Sequence, residues 1–576
     1  MEFHQMYDPM GNTFLSTLLA AVPILTLLYF LAVHPHKDKL GRRHHGIAAP
    51  KAAFIAAIVT ILMAIWLVDM PVSSTLAAFG YGSLFGIMPI GWIIVAAMFL
   101  YTITLVTGQF DIVKSSVVSL SSDRRIQTLL IAFSFGAFIE GAAGFGTPVA
   151  IAGALMVGMG FRPLVAAVLC LIANTAPVAF GAVGTPIITL ANVTGLPESA
   201  LSAMAGRQLP FFSIIVPFWL IATMVFMHKG KWKQVIEVWP AIVVTGASFA
   251  LTQFAVSNYI GPMLVDIVAG IVSMLALILL LKVWQPKNKF YLPGEEEEMK
   301  TLEVQESQYS RGQVVKAWTP WAFLTLFVFL WGLPQWKTFL NSLNFFGLKS
   351  IYNIPVPYLD RLVFRGPPLA KESAPEAAVY ALNWLSAAGT GVFFAAILSG
   401  LFLRLSKEQW KLSVVRTAQR MKTPLITIAL VLGLGYTTRY SGLDAILGLA
   451  FTKTGDLYPF FAAMLGWLGV FLTGSDTSSN ALFGNMQRIT ADQLGLDPVL
   501  IAASNSTGGV MGKMIDAQSI VVATAACYED RNEGANAVGP IFRAVIFHSI
   551  ALAVLMGVLV MLQAYMFPWM IPTYTL

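Results

Sequence analysis

Apolar runs of about 20 residues alternate with short polar loops along nearly the whole chain, each long enough to cross a hydrocarbon core about 30 Å thick. That rhythm predicts an all-α polytopic membrane protein. The places where it breaks are as informative as the runs. In two regions an apolar arm too short to cross meets a cluster of Gly, Ser or Thr, and a second short arm follows. A Gly-x-x-Pro corner comes next, then a helix interrupted by Asn, Thr and Gly or Pro.

The first region reads Glu140-Gly141-Ala142-Ala143-Gly144-Phe145-Gly146-Thr147-Pro148, then Gly160-Phe161-Arg162-Pro163-Leu164, then Asn174-Thr175-Ala176-Pro177. The second reads Gly474-Ser475-Asp476-Thr477-Ser478-Ser479-Asn480, then Gly495-Leu496-Asp497-Pro498-Val499, then Ser504-Asn505-Ser506-Thr507-Gly508-Gly509. The corner residue switches from Arg162 to Asp497, as expected for corners on opposite faces with the basic one inside. The pattern therefore predicts helical hairpins over Thr128–Gly158 and Leu457–Leu494, entering from opposite sides as an inverted repeat. Irregular backbone survives at membrane depth only where protein or a hydrated site supplies partners, and paired interruptions in two halves point to a transporter's binding site. Close helix packing through small residues is the competing account of the same glycines.

Composition narrows the classes. Of 576 residues, 57% are hydrophobic and 11% charged, too few charges to cover a soluble protein of this length. The net charge of +7 does not indicate nucleic acid, because the basic residues sit in short loops between apolar runs. Basic clusters at Lys37–Arg43, Lys114–Arg125, Lys229–Lys233, Lys282–Lys316 and Arg404–Lys422 all fall inside if there are about twelve full spans plus two re-entrant segments, with both termini outside. The run from Phe14 to Val33 has no Lys or Arg before it and no small-residue cleavage site, so it is expected to stay as a spanning helix. The chain divides into N-terminal spans (1–86), a first repeat half (87–230), a helical pair (231–283), a cytoplasmic linker (284–316), scaffold spans with an outer loop (317–422) and a second repeat half (423–576). The linker contains Glu295 to Glu298, and the outer loop contains the proline-rich stretch 333–377, whose apolar parts are compatible with dipping into the membrane. Cys170 and Cys527 lie in apolar runs and suggest neither a disulfide nor a metal site.

Ionisable residues inside a membrane are expensive and are functional candidates for that reason. Glu140 sits at the first hairpin tip, where burial favours the protonated form that a proton carrier needs. Asp476 holds the matching position and is a second candidate for proton coupling, a sodium ligand or a helix cap, while the flanking Ser475, Thr477, Ser478 and Ser479 are candidates to line the substrate site. Lys513 and Asp516, three residues apart, can pair on one face, with Lys513 offered to a substrate carboxylate and Asp516 to a proton. Gly141, Gly144 and Gly146 leave bare backbone N–H groups, while Asn174, Thr175, Asn505, Ser506 and Thr507 offer donors and acceptors to a carboxylate and a 2-hydroxyl. Arg207 reads as an interface anchor or an entrance for anions, and His548 as a packed histidine or a proton relay. Arg439 and Asp444 read as a structural pair.

Gly508 to Lys513 fails as a phosphate loop, with Thr507 in place of the first Gly and Met514 in place of Ser/Thr. No His-Glu-x-x-His or Gly-x-Ser-x-Gly occurs, so neither an ATPase nor an intramembrane enzyme is supported, and no cofactor or metal is expected.

The stretches Phe138 to Pro148, Asn174 to Ala182, Gly206-Arg207-Gln208-Leu209-Pro210, Gly466 to Leu482 and Gly512-Lys513-Met514-Ile515 resemble the lactate permease family, over nearly the whole chain. The resemblance implies import of lactate and glycolate by proton symport across the bacterial cytoplasmic membrane. It also implies an elevator-like motion of re-entrant hairpins and broken helices, as in the wider ion transporter superfamily. Thr147, where the family pattern has Ala, and the shortened Val510-Met511-Gly512 spacing bear on which hydroxy acid is preferred. A sodium-coupled carboxylate symporter is the alternative. The expected partners are thus a small carboxylate, protons and the lipid bilayer, with the oligomeric state open and a homodimer among the options.

Overall fold

The computed structural model describes residues 2–30, 34–37, 43–45, 47–118, 121–144, 146–291, 309–345, 348–369, 373–528 and 530–575. Glu295 to Glu298 and Phe145 lie outside the described residues. The protein is mostly helical. Among the described residues eight helices are long and apolar enough to cross a membrane, and the pair Pro163–Ala173 and Val178–Thr194, bent by 66°, makes a ninth. The exception to an all-α chain is a set of strands two to four residues long. Most of them belong to the 333–387 segment, which forms a surface cap containing the helix Pro334–Ser342 and the pairing of Tyr352–Pro355 with Val379–Leu382. Phe3 and His4 join the cap by pairing with Val363 and Phe364.

Both expected hairpins break at their glycines. The first begins at Arg124, where Asp123 caps the helix by accepting from the Arg125 N–H at 2.9 Å. Arg125 is buried and anchors this end through Asp123 at 2.7 Å and Glu237 at 3.2 Å. The arm therefore runs over Arg124–Ala143, 20 residues, which is longer than the short arm expected from Thr128. Every residue from Thr128 to Ala143 is buried, as an all-round apolar helix must be when protein encloses it. Gly144 and Gly146, at φ 58° and 77°, turn the chain into the second arm, Thr147–Gly158, with Pro148 in its first turn. In the second hairpin, Gly474 at φ 70° separates Tyr458–Thr473 from Asp476–Leu494.

Each hairpin leads through its corner into a bent helix. Pro163–Ala173 stops at Asn174–Pro177, and the chain resumes at Gly181–Thr194 after a short 3-10 turn. Ala182 and Val183 there adopt φ 44° and 58°, a costly conformation for a β-branched residue and so a rigidly held turn. In the second half the bend lies at Lys513–Asp516, between Pro498–Gly512 and Ala517–Cys527. This corrects the expected interruption at Ser504–Gly509. That stretch stays helical because its side chains find partners and its glycines serve packing. Ser504 donates to the Ile501 carbonyl, Thr507 to Gln208, and Gly508 lies against the Ala463 backbone. For these glycines, close packing is the correct account.

The halves exchange arms. Thr147–Gly158 packs on Ala517–Cys527, and Asp476–Leu494 packs on Gly181–Thr194. Helix Leu209–Met227 lies between the two corners. Arg162 at the first corner donates to the Met227 carbonyl at 2.8 Å, at the far end of that helix. Arg207, just before its start, donates to the Met570 carbonyl at 2.9 Å, and nearby Tyr574 donates to Asp497 at the second corner at 3.1 Å. The two corners thus sit at opposite ends of a 19-residue helix.

Candidate substrate and coupling site

The hairpin tips and the bends converge on Lys513. The first helix of the second bent span ends at Gly512, which leaves Lys513 in a 3-10 turn. Its ammonium donates to the Gly474 carbonyl at 2.6 Å and pairs with Asp516 at 3.4 Å. The same ammonium acts electrostatically on Glu140 and on Asp476, the carboxyls of the two hairpin tips. All four groups are buried. Lys513 is thus ion-paired with Asp516 and bonded to the second hairpin's turn at Gly474.

Each tip carboxyl rests on a glycine of its own half's bent helix. A methyl group at Gly181 would overlap Glu140 Oε1, and one at Gly509 would sit 2.6 Å from Asp476 Oδ1. Asp476 Oδ2 accepts from the Ser506 hydroxyl at 2.5 Å, while Oδ1 has no hydrogen-bond partner among the described residues. The helix cap here is Ser475, which accepts from the Ser478 N–H at 3.2 Å, so the capping role considered for Asp476 belongs to its neighbour. Asp516 caps the next helix by accepting from the Ser519 N–H at 2.7 Å.

At the first bend, Asn174 is the polar side chain that acts on Glu140 beside Lys513. Even so, Glu140 Oε2, both amide atoms of Asn174 and the Thr175 hydroxyl lack hydrogen-bond partners among the described residues. Buried polar atoms are rarely left so, and unpaired ones call for a functional account. Asn505 is the opposite case. Its Nδ2 donates to Asn480 at 2.9 Å, and its Oδ1 accepts from Gln487 at 3.1 Å. Gln487 in turn accepts from Tyr458 at 2.6 Å. Thr507 donates to Gln208 at 2.6 Å, and Ser479 lies against Gly466. Thr477 and Ser478 stay buried in the first turn beside Asp476. Of the three tip glycines, Gly141 packs on Asp266 and Ile267, Gly144 on Ala182 and Gly146 on Val522.

Outside this cluster the structure settles several side chains. Trp219 donates to His548 Nδ1 at 2.7 Å, which makes His548 a packed, bonded histidine. Arg207 donates to Asn258 at 2.9 Å and to Met570, as an anchor does. The expected Arg439–Asp444 pair is replaced. Arg439 pairs with Glu376 at 2.8 Å, because the surface cap brings that residue over the helix end, and Asp444 accepts from Asn485 at 2.5 Å. Sequence reading also passes over Asp266, which is fully buried with both carboxylate oxygens unpartnered among the described residues. A lone acid opening the apolar run Val265–Val283 is the signal that identifies it.

A buried ammonium, with a buried amide and hydroxyl in the same site, can receive a small anion bearing a neighbouring hydroxyl. Known proteins agree on the class. The L-lactate permease family profile matches residues 16–567. The chain is 45% identical over 570 residues to the L-lactate permease of Escherichia coli (strain K12), covering 99% of this chain and 100% of that protein. It is 46% identical over 576 residues to the glycolate permease of the same organism, covering 98% of this chain and 99% of that one. The L-lactate permease of Bacillus subtilis (strain 168) is 45% identical over 590 residues, covering 99% and 100% respectively. Matched from end to end by the profile and by these relatives, the chain belongs to the L-lactate permease family.

Proposed function

We propose that this permease imports lactate, with glycolate and related 2-hydroxy-monocarboxylates, in symport with a proton. The substrate class rests on the relatives named as L-lactate and glycolate permeases. The observation that carries the mechanism is Lys513, a buried cation bonded to the turn of the second hairpin and paired with Asp516, together with the buried Glu140, Asn174 and Thr175 of the first half. An ammonium has three donors. Gly474 and Asp516 engage two of them, and the third meets the substrate carboxylate. Asn174 and Thr175 take the 2-hydroxyl, and Glu140 carries the proton. A monovalent anion entering alone works against the membrane potential, worth about 2.3 kcal/mol per charge per 100 mV, and a co-transported proton cancels that term.

The same reading assigns twelve full spans, counting the two bent helices, with the hairpins re-entering from opposite faces to meet at mid-membrane. The arm exchange and the corners at opposite ends of Leu209–Met227 support it. Alternating access then follows from an elevator-like movement of the tips and bends as one body against the remaining helices.

The test is uptake of labelled lactate into proteoliposomes under an imposed proton or sodium gradient. An inward proton gradient is expected to drive accumulation with sodium absent. Accumulation driven by sodium alone would overturn proton symport in favour of a sodium site at Asp476 and its flanking hydroxyls.

A further inference from the structure

Asp266 is a buried carboxyl that this transport cycle leaves without a role. It sits in the first turn of Val265–Val283, directly against the hairpin arm that carries Glu140. A methyl group on Gly141, the residue after Glu140, would lie 2.8 Å from Asp266 Cβ. Both Asp266 oxygens lack hydrogen-bond partners among the described residues, as does Glu140 Oε2. The helices packed most closely on Val265–Val283 are Trp239–Tyr259 and the Thr128–Ala143 arm. The first holds no Asp, Glu, Lys, Arg or His, and the second holds Glu140 alone. Glu140 is accordingly the charged group that acts on Asp266. Two buried carboxyls on packed helices do not both hold a negative charge comfortably, since a buried charge without a partner costs several kcal/mol.

A second feature adjoins Asp266 along the chain. The turn Ile260–Leu264, which leads straight into Asp266, lines a cavity of about 50 Å³ together with Glu198, Val328 and Lys337. That is room for a water or two. Glu198 opens its helix just after Pro197, and Lys337, which acts on it electrostatically, comes from the outer cap. The turn that lines this cavity with Glu198 thus runs directly into the helix turn that holds Asp266, against the arm that carries Glu140.

We propose that Asp266 receives the transported proton from the outer face, through the cavity between Glu198 and the Ile260–Leu264 turn, and passes it to Glu140. In the transfer an O–H bond at Asp266 breaks as one forms at Glu140. Hydronium from the external solution, relayed past Glu198, then reprotonates Asp266 and leaves water, so each transfer moves one proton inward and needs no other reactant. The proposal rests on the proton-symport reading, and its test separates the two.

Proteoliposomes of the unaltered protein, Asp266→Asn, Asp266→Glu and Glu198→Gln are compared for proton-gradient-driven lactate accumulation and for lactate counterflow, which needs no net proton movement. Asp266→Asn is expected to keep counterflow while losing the gradient-driven component by about 100-fold or more, the size of a lost proton-transfer group. Asp266→Glu is expected to restore part of it, and Glu198→Gln to shift the dependence of uptake on external pH. Normal accumulation by Asp266→Asn, where the unaltered protein is proton-driven, would overturn the proposal alone. Absence of any proton effect in the unaltered protein would instead overturn the symport reading. If Asp266→Asn fails to fold and shows no counterflow, Glu198→Gln decides: an unchanged external-pH dependence removes the outer route.

Discussion

Asn174 and Asn505 hold matching places in the sequence and do opposite work. The Asn174 amide is buried and acts on Glu140, whereas Asn505 is bonded to Asn480 and Gln487. Asn174→Ala is therefore predicted to weaken lactate binding by about 1.5–3 kcal/mol, or roughly 10- to 150-fold, with little change in thermal stability. Asn505→Ala removes a partner from two buried amides and is predicted to cost about 1–3 kcal/mol of stability, seen as a lower melting temperature in detergent. Calorimetric lactate titration and thermal unfolding of both variants check the contrast. Glu140, Asp476 and Lys513 stand out in the sequence because an isolated charge in an apolar run is conspicuous, and all three are buried. The commitment of Asn505 does not, since its partners arrive from another helix. Glu376 was hidden for a similar reason: nothing local says that the cap folds back onto Arg439.

At the scale of elements, glycine gave correct breaks in the hairpins and a misplaced one in the second bent helix. Gly144, Gly146 and Gly474 take positive φ, which only a turn requires. Gly508 and Gly512 are helical and face Ala463 and Trp467 on the neighbouring arm, while Gly509 lies against Asp476 and Val470. Composition cannot separate a turning glycine from a packing one, because both are small and both recur near function. The difference lies in the partner helix. Gly508→Val would press a branched side chain into the Ala463 backbone and is predicted to destabilise the second half by about 1–3 kcal/mol. Expression level and melting temperature are the readouts. An unperturbed variant would mean that these two helices do not touch there.

For the whole molecule, family and apolar helices together make this a multi-pass protein of the bacterial cytoplasmic membrane. The corners at Arg162 and Asp497 sit at opposite ends of Leu209–Met227, so single cysteines placed at each are predicted to react with an impermeant maleimide from opposite sides of the membrane. The native Cys170 and Cys527 are free but buried, which keeps background labelling low. Labelling of both corners from one side would contradict the inverted arrangement. The central claim is that lactate and a proton enter together through Glu140. The most direct test records internal pH in proteoliposomes, with no imposed gradient, as lactate is added outside. The account predicts that the lumen acidifies with the unaltered protein. With Glu140→Gln, lactate exchange continues and acidification is lost. Equal acidification by Glu140→Gln would contradict it.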